Sequence, residues 1–296
     1  MKQRLPFIFL LLSISISLFG KAVDFLPVPS KEIIKHTYYT LSYNEKYEQA
    51  NWVYYVLTDS MVIQGGQERT NKFKFDKLVP TGSARTSDYT KSGYDRGHLC
   101  PAADMDFNQV AMEESFLMSN ISPQAPDFNR GIWKDLETEV RNWAKKERRI
   151  YVVTGPVFND NKGAIGGEQV LVPGYFFKIL FDPTDKQRII AFVLPNRKSD
   201  RPLIDFVVSA DELEKLTGYD FFSQLPDDLE NKLEGSIDLS GWFAGYKEKP
   251  EQAVVTETPN KKDEKKDDTD ARFYLLLAGI VVLVLIFVLI KGSGRK

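Results

Sequence analysis

Two histidines serve the whole chain of 296 residues, and one of them, His98, stands in the run YDRGHLCPAADM at 94–105. Arg96 lies two residues before it, Gly97 beside it, and the only cysteine, Cys100, two residues after it. In an extended chain alternate side chains share a face. Arg96 and His98 then point together, Asp95 points away, and Gly97 leaves room for a ligand to approach closely. A guanidinium beside an imidazole suits a phosphate ester. The arginine holds oxygens by paired hydrogen bonds. The imidazole, with an ordinary pKa of about 6.5, takes a proton from water near neutral pH. The same spacing also fits a structural histidine bonded to a backbone carbonyl, and it does not separate the two readings.

A second group of polar residues follows in SNISPQAPDFNRGIWKDLETEVR at 119–141: Asn120, Gln124, Asn129, Glu137 and Arg141. Ile132, Trp133, Leu136, Val140, Trp143 and Ala144 repeat at helical spacing, which predicts one helix over 129–147 with a single apolar face. On that helix Glu137 and Arg141, four apart, face each other. Asn129 and Glu137, eight apart, are offset by only about 80°. An amide oxygen, a carboxylate and a guanidinium then line one groove, and those oxygens with water suit a hard ion such as magnesium. An N-capped surface helix carrying one salt bridge is the simpler account of the same residues.

The ordered set DRGH, then SNISPQ, then Asn-x3-Trp-x3-Glu-x3-Arg resembles the DNA/RNA non-specific endonucleases of the ββα-metal (His-Me finger) superfamily. The likeness runs from about Trp52 to Phe222 and includes LTGYDFF at 216–222. It implies an α+β fold with a central antiparallel sheet and an enzyme that hydrolyses phosphodiester bonds of DNA and RNA. By position, it implies that His98 is the general base and that Asn129 is the one direct protein ligand of Mg2+, with Mn2+ as a substitute. Glu137 would bond the water on that metal. Arg96 and Arg141 would stabilise charge on the phosphate, Asn120 would support the geometry, and Arg69 would match an upstream arginine. Phosphate contacts position a nucleic acid without reading its sequence. A non-cleaving nucleic-acid-binding module and a phosphodiesterase for short nucleotides remain as alternatives.

The elements that must carry these residues read as mixed α and β. NWVYYVLT (51–58), RIYVVTG (149–155), GYFFKILFD (174–182) and RIIAFVLP (188–195) are strand-like, the last two joined as a hairpin by PTDKQ. Asp106 and Gln109 form a capping pair for a helix reaching about Met118. SADELEKLTG begins with a serine cap and ends at Gly218. Lesser signals have plain readings. Asp104 and Asp106 belong to the helix start, Cys100 to packing, and GAIGG (163–167) to a loop. The Asn120 glycosylation pattern is coincidental, because a glycan there would block the groove. Arg197, Lys198 and Arg201 form a basic cluster that reads equally as a guide for substrate and as a solvated loop.

Totals set the outer bounds. One cysteine excludes an intramolecular disulfide framework, and two histidines exclude a histidine-rich zinc site. A net charge of −2 does not advertise a nucleic-acid partner, so local arginines must supply the attraction. Residues 1–22, with Lys2 and Arg4 before an apolar run, are laid out as a signal peptide. Residues 23–246 form one domain. Residues 247–272 read as a charged, disordered linker. The uncharged run 273–290 is long enough for a transmembrane helix, and basic 291–296 places the tail in the cytoplasm. The expected location is therefore a single pass in the cell (inner) membrane. The domain would lie extracytoplasmically, and in the periplasm of a Gram-negative cell.

Overall fold

The computed structural model describes residues 24–184 and 186–243. The chain order is β1 (Ile33–Lys35), β2 (Tyr39–Asn44), β3 (Gln49–Thr58), α1 (Asp59–Ile63), β4 (Asp95–His98), α2 (Gln109–Ser115) and β5 (Ile121–Gln124). It continues with α3 (Pro126–Asn129), α4 (Ile132–Glu147), β6 (Arg149–Val157), β7 (Ala164–Ile165), β8 (Val170–Leu171), β9 (Tyr175–Asp182) and β10 (Arg188–Pro195). It closes with β11 (Val207–Val208), α5 (Ala210–Thr217) and α6 (Asp227–Glu234). Seven strands form one sheet in the order β1-β2-β3-β6-β9-β10-β11, every neighbouring pair antiparallel.

The architecture is α+β, as the strand and helix patterns imply. All eight residues of β9 are buried, because both faces of the sheet are covered. On one face Phe176 and Leu180 join Trp133, Leu136 and Val140 of α4. On the other, Phe177, Ile179 and Phe181 join Leu213 of α5 and Phe221 and Phe222 beyond it. The apolar face read from residues 132–144 is the face of α4 that is buried. Each large side chain removed from water there contributes about 1.5–3 kcal/mol. α5 is held by a capping box between Ser209 and Glu212 and ends at Gly218 with φ 75°, a left-handed turn that glycine adopts without strain.

Several expectations need correction. The helix over 129–147 is two helices. Pro126 opens α3, which stops at Asn129, and Gly131 (φ −106°, ψ −117°) breaks the path before α4 starts at Ile132. Asn129 and Glu137 are therefore not related by a helical offset. A Cβ on Gly131 would lie 2.5 Å from the Asp127 carbonyl oxygen, so only glycine lets the chain turn here. The helix after Asp106 is capped by Asn108, whose Oδ1 accepts from Val110 N at 2.8 Å and Ala111 N at 3.2 Å. GAIGG is partly strand, since Ala164 and Ile165 pair with Leu171 and Val170.

The fold class also included a C-terminal transmembrane helix, and that part is corrected. No helix among the described residues is long and apolar enough to cross a membrane. The longest of them, α4, has 16 residues and an amphipathic surface. The segments assigned to signal peptide (1–22), linker (247–272), membrane helix (273–290) and tail (291–296) lie outside the described residues.

Gly131 gives this architecture a direct test. Gly131→Ala must displace either the Asp127 carbonyl or the start of α4, and is expected to lower unfolding stability by about 1–3 kcal/mol. Urea denaturation of the two proteins checks it. An unchanged midpoint would show that the turn tolerates a Cβ.

Candidate functional site

The DRGH run is strand β4, and it pairs with β5 in a two-stranded hairpin: Asp95 opposite Gln124, Arg96 opposite Pro123, Gly97 opposite Ser122, His98 opposite Ile121. The extended chain separates the side chains by face. Phe73 receives both members of one face, with the Arg96 guanidinium 5.0 Å from its ring centre and the His98 ring 5.6 Å away. His98 also meets Phe116 edge-on at 4.8 Å, and Arg69 lies 5.0 Å over that same ring. Arg69, Arg96 and His98 are thus gathered by two phenylalanines. Asp95, on the other face, reaches α3 and the turn after it.

Gly97 has a different reason from the one its neighbours implied. A Cβ there would fall 2.1 Å from Gln124 Cδ, so glycine makes room for the Gln124 side chain and not for a ligand.

His98 is 7 % exposed, and its Nε2 has no hydrogen-bond partner among the described residues. Burial, aided by the nearby positive charge of Arg69, pushes its pKa down to about 3. The ring is therefore neutral throughout the neutral pH range, with a free nitrogen. Asn120 holds the chain just beyond it. Its Oδ1 accepts from Cys100 N at 2.9 Å, and its Nδ2 donates to Cys100 O at 2.9 Å and Ser115 O at 2.8 Å. Cys100 itself is fully buried in the core. The other histidine is not idle. His36 Nε2 lies 3.1 Å from Asp76 Oδ2, with both side chains enclosed, and Asp76 also accepts from Ser119 Oγ at 2.5 Å.

The second half of the site comes from α3 and α4. Asn129 donates its Nδ2 to Asp95 Oδ2 at 3.0 Å, and Arg130 grips the same carboxylate at 2.8 and 2.6 Å. This fixes which end of the Asn129 amide faces Asp95 and leaves Oδ1 as the acceptor pointing elsewhere. Arg141 does not pair with Glu137, as helical spacing alone would have it. Its Nη1 donates to Asp104 Oδ1 at 2.9 Å, and its Nη2 to Thr138 Oγ1 at 3.0 Å. Asp104 is no helix cap either: buried, it also accepts from Tyr55 Oη at 2.8 Å.

Lys178 was not among the residues singled out by spacing. It sits in β9 on the α4 side of the sheet, fully buried, 4.8 Å over the Trp133 ring, and its Nζ has no hydrogen-bond partner among the described residues. The signal was there: it is the one charged residue within YFFKILF at 175–181. Its charge bears on half-buried Glu137. Burial pushes that carboxyl up to about 7. Lys178 pulls it down, Asp104 pushes it up again, and Arg141 and Arg69 pull it down. Arg69 bears on both His98 and Glu137, so a free imidazole nitrogen and a carboxylate share one cationic neighbourhood, while Asp95 links the strand of His98 to Asn129. Imidazole, guanidinium, carboxylate and amide are groups suited to a phosphate and a hard cation.

Comparison with known proteins identifies the family. Residues 22–228 match the model of the DNA/RNA non-specific endonuclease family. A nuclease of Nostoc sp. is 36% identical over 223 residues, covering 71% of this chain and 80% of that protein. The mitochondrial nuclease of Saccharomyces cerevisiae is 32% identical over 231 residues, covering 70% of each. The crystal structure of EndoG in complex with EndoGI superposes with a TM-score of 0.63 at 31% identity, over 66% of this chain and 87% of that one. The expected single-pass membrane location is corrected together with the membrane helix. The yeast relative is a mitochondrial nuclease by name, and no described helix crosses a membrane. With a likeness that spans most of the folded region, this chain, a hydrolase, belongs to the DNA/RNA non-specific endonuclease family.

Proposed function

We propose that residues 23–246 form a metal-dependent endonuclease domain that cuts DNA and RNA with little sequence preference, with His98 as its general base. One observation carries this reading. A buried, neutral imidazole with an unpartnered Nε2 shares a strand face with Arg96, whose own buried Nε is also unpartnered. Unpaired polar nitrogens inside a protein are costly, and a phosphate with its attacking water satisfies both.

The donors fit a hard divalent ion. The Asn129 amide is oriented by Asp95 through its nitrogen, which leaves its oxygen as an acceptor, and Glu137 brings a carboxyl group that burial pushes up to about 7. Hard cations take oxygen ligands of these kinds and keep several waters. Asn129 would hold Mg2+ or Mn2+ directly, and Glu137 would bond its water. Bound there, the ion supplies Lewis-acid stabilisation of the scissile phosphate and of the leaving 3′ oxygen.

The chain's own residues do the rest. His98 Nε2 removes the proton from water. Its pKa, pushed below that of free imidazole, keeps it unprotonated and ready, though a weaker base. Arg96 and Arg69 present positive charge to the phosphate while their planar groups rest on Phe73 and Phe116. Arg141, held by Asp104 and Thr138, adds charge beside Glu137 and aligns that end of α4. Asn120 fixes the backbone after His98. Lys178 keeps Glu137 ionised from beneath. Since every contact in this scheme is to phosphate or to water, no base is read, and the products carry 5′-phosphate ends.

His98→Ala is expected to lower plasmid and RNA cleavage by about 100- to 10,000-fold while leaving DNA binding intact. Gel assays with and without Mg2+, alongside an anisotropy titration, check this. Equal cutting by both proteins would overturn the role of His98, and binding without cutting by the wild type would favour a non-cleaving module.

Lys178→Met keeps the volume and removes a buried cation that has no hydrogen-bond partner among the described residues. Without that cation the Glu137 pKa rises further, and its carboxylate form requires higher pH. Activity at pH 7 is expected to fall roughly tenfold and to recover as pH increases. A pH profile parallel to that of the wild type would show that Lys178 does not act through Glu137.

A further inference from the structure

On the sheet face away from His98, five carboxylates converge where α5 meets α6. Asp211 and Glu214 come from α5, Asp220 from the loop after it, and Glu230 and Glu234 from α6. Ligand oxygens of Asp211, Glu214 and Glu234 lie within 4.8 Å of one another, and so do those of Asp220, Glu230 and Glu234. Glu234, common to both sets, is only 8 % exposed, and its Oε1 has no hydrogen-bond partner among the described residues. Glu230 Oε1 is likewise buried without one. Lys215 reaches Asp211 at 3.9 Å on the exposed rim. Among the described residues no ion pair involves Glu214, Asp220, Glu230 or Glu234.

Such an arrangement is costly for a protein alone. Buried carboxylates stay charged only when paired. Glu230 and Glu234 are a like-charged pair four apart on one helix, which is unfavourable. Glu234 also ends its helix, where the backbone dipoles already build negative potential. Burial, followed by the surrounding carboxylates, pushes Glu234 up to about 8 and Glu214 to about 7. Glu214 is nonetheless fixed in place, accepting from Phe221 N at 2.8 Å.

We propose that Asp211, Glu214, Asp220, Glu230 and Glu234 form a calcium site that fastens α6 to α5. Every donor is a carboxylate oxygen, the ligand type of a hard cation, with no nitrogen or sulfur to favour zinc or copper. Oxygens around one Ca2+ at 2.3–2.6 Å lie no more than about 5 Å apart, the separation found within each of the two sets that Glu234 joins. Calcium accepts many carboxylates in irregular geometry, whereas Mg2+ demands a regular octahedron and keeps its waters. Glu230 and Glu234 lie past residue 228, where the family match ends. The site is thus completed by a segment outside the family's common region. Its occupation would seat Leu229 and Leu233 of α6 against the core that holds Phe221 and Phe222.

The test is a crossing experiment on the full chain carrying Asn129→Ala, so that a cation at the cleavage site does not contribute. Calcium chloride at 1 mM, compared with chelator, should raise the melting temperature by roughly 3–6 °C, and calorimetric titration should show calcium binding. Adding Glu234→Gln relieves repulsion with little change of shape, so in chelator this variant should melt at the same temperature or higher. In calcium it should show no rise and melt below its parent. A variant more stable than its parent in both media, or one with an undiminished calcium response, would overturn the proposal. So would the absence of calcium binding in the parent at millimolar concentration.

Discussion

A single carboxylate, Asp95, ties the strand that ends in His98 to the helix that ends in Asn129. It accepts from Asn129 Nδ2 and from two nitrogens of Arg130. A strand sends alternate residues to opposite faces, so the residue that makes this tie is set apart from the pair that would meet the phosphate. Positions 95 and 96 thereby divide the labour, one linking two elements and the next facing the ligand. If the tie slackened, the imidazole and the amide oxygen would no longer be held in one geometry. Sites of this kind are sensitive to displacements of about 1 Å.

Around that tie the molecule manages charge in a half-dry environment. Two arginines, Arg141 and Arg69, and Lys178 bear on one carboxylate of α4, with Arg96 beside His98, yet the four cations are held differently. Arg141 is bonded to Asp104, Arg69 and Arg96 lie on aromatic rings, and Lys178 lies over Trp133. Aromatic faces support cations without neutralising them, so the charge of Arg69 and Arg96 stays available to a phosphate. Only Arg141 is matched by a buried acid. The opposite face of the sheet carries the reverse imbalance: among the described residues five carboxylates gather where α5 meets α6, and Lys215, paired with Asp211 on the rim, is the base that reaches them. The two regions use the same sheet as a rigid divider, and β9 serves both, with Lys178 on one side and Ile179 on the other.

Much of the frame was legible in the residues. The four long strands are read from runs of β-branched and aromatic side chains, and the buried face of α4 from its period. Neither depends on distant partners. The His98 and Arg96 face follows from alternation in any extended segment. Other features were misread because their cause is remote in sequence. Gly97 makes room for Gln124, which the hairpin brings opposite its neighbour Asp95. Asp104 has a local role open to it as a helix cap, but the fold gives it Arg141, 37 residues away. The break at Gly131 had its markers in Pro126 and the glycine, and the strong period that follows concealed them.

The sequence by itself determined the element types, the chemical character of the site and the family. Each of these rests on short-range pattern: hydrophobic period, alternation, and an ordered set of motif residues. The tertiary structure decided which charges meet. It paired Arg141 with Asp104 and not Glu137, set Lys178 beneath Trp133 near Glu137, and collected five carboxylates from α5, a loop and α6. The reason is physical. Periodicity fixes which face a side chain occupies, but the strength of a charge interaction depends on separation and local burial, and both are set by how distant segments pack together.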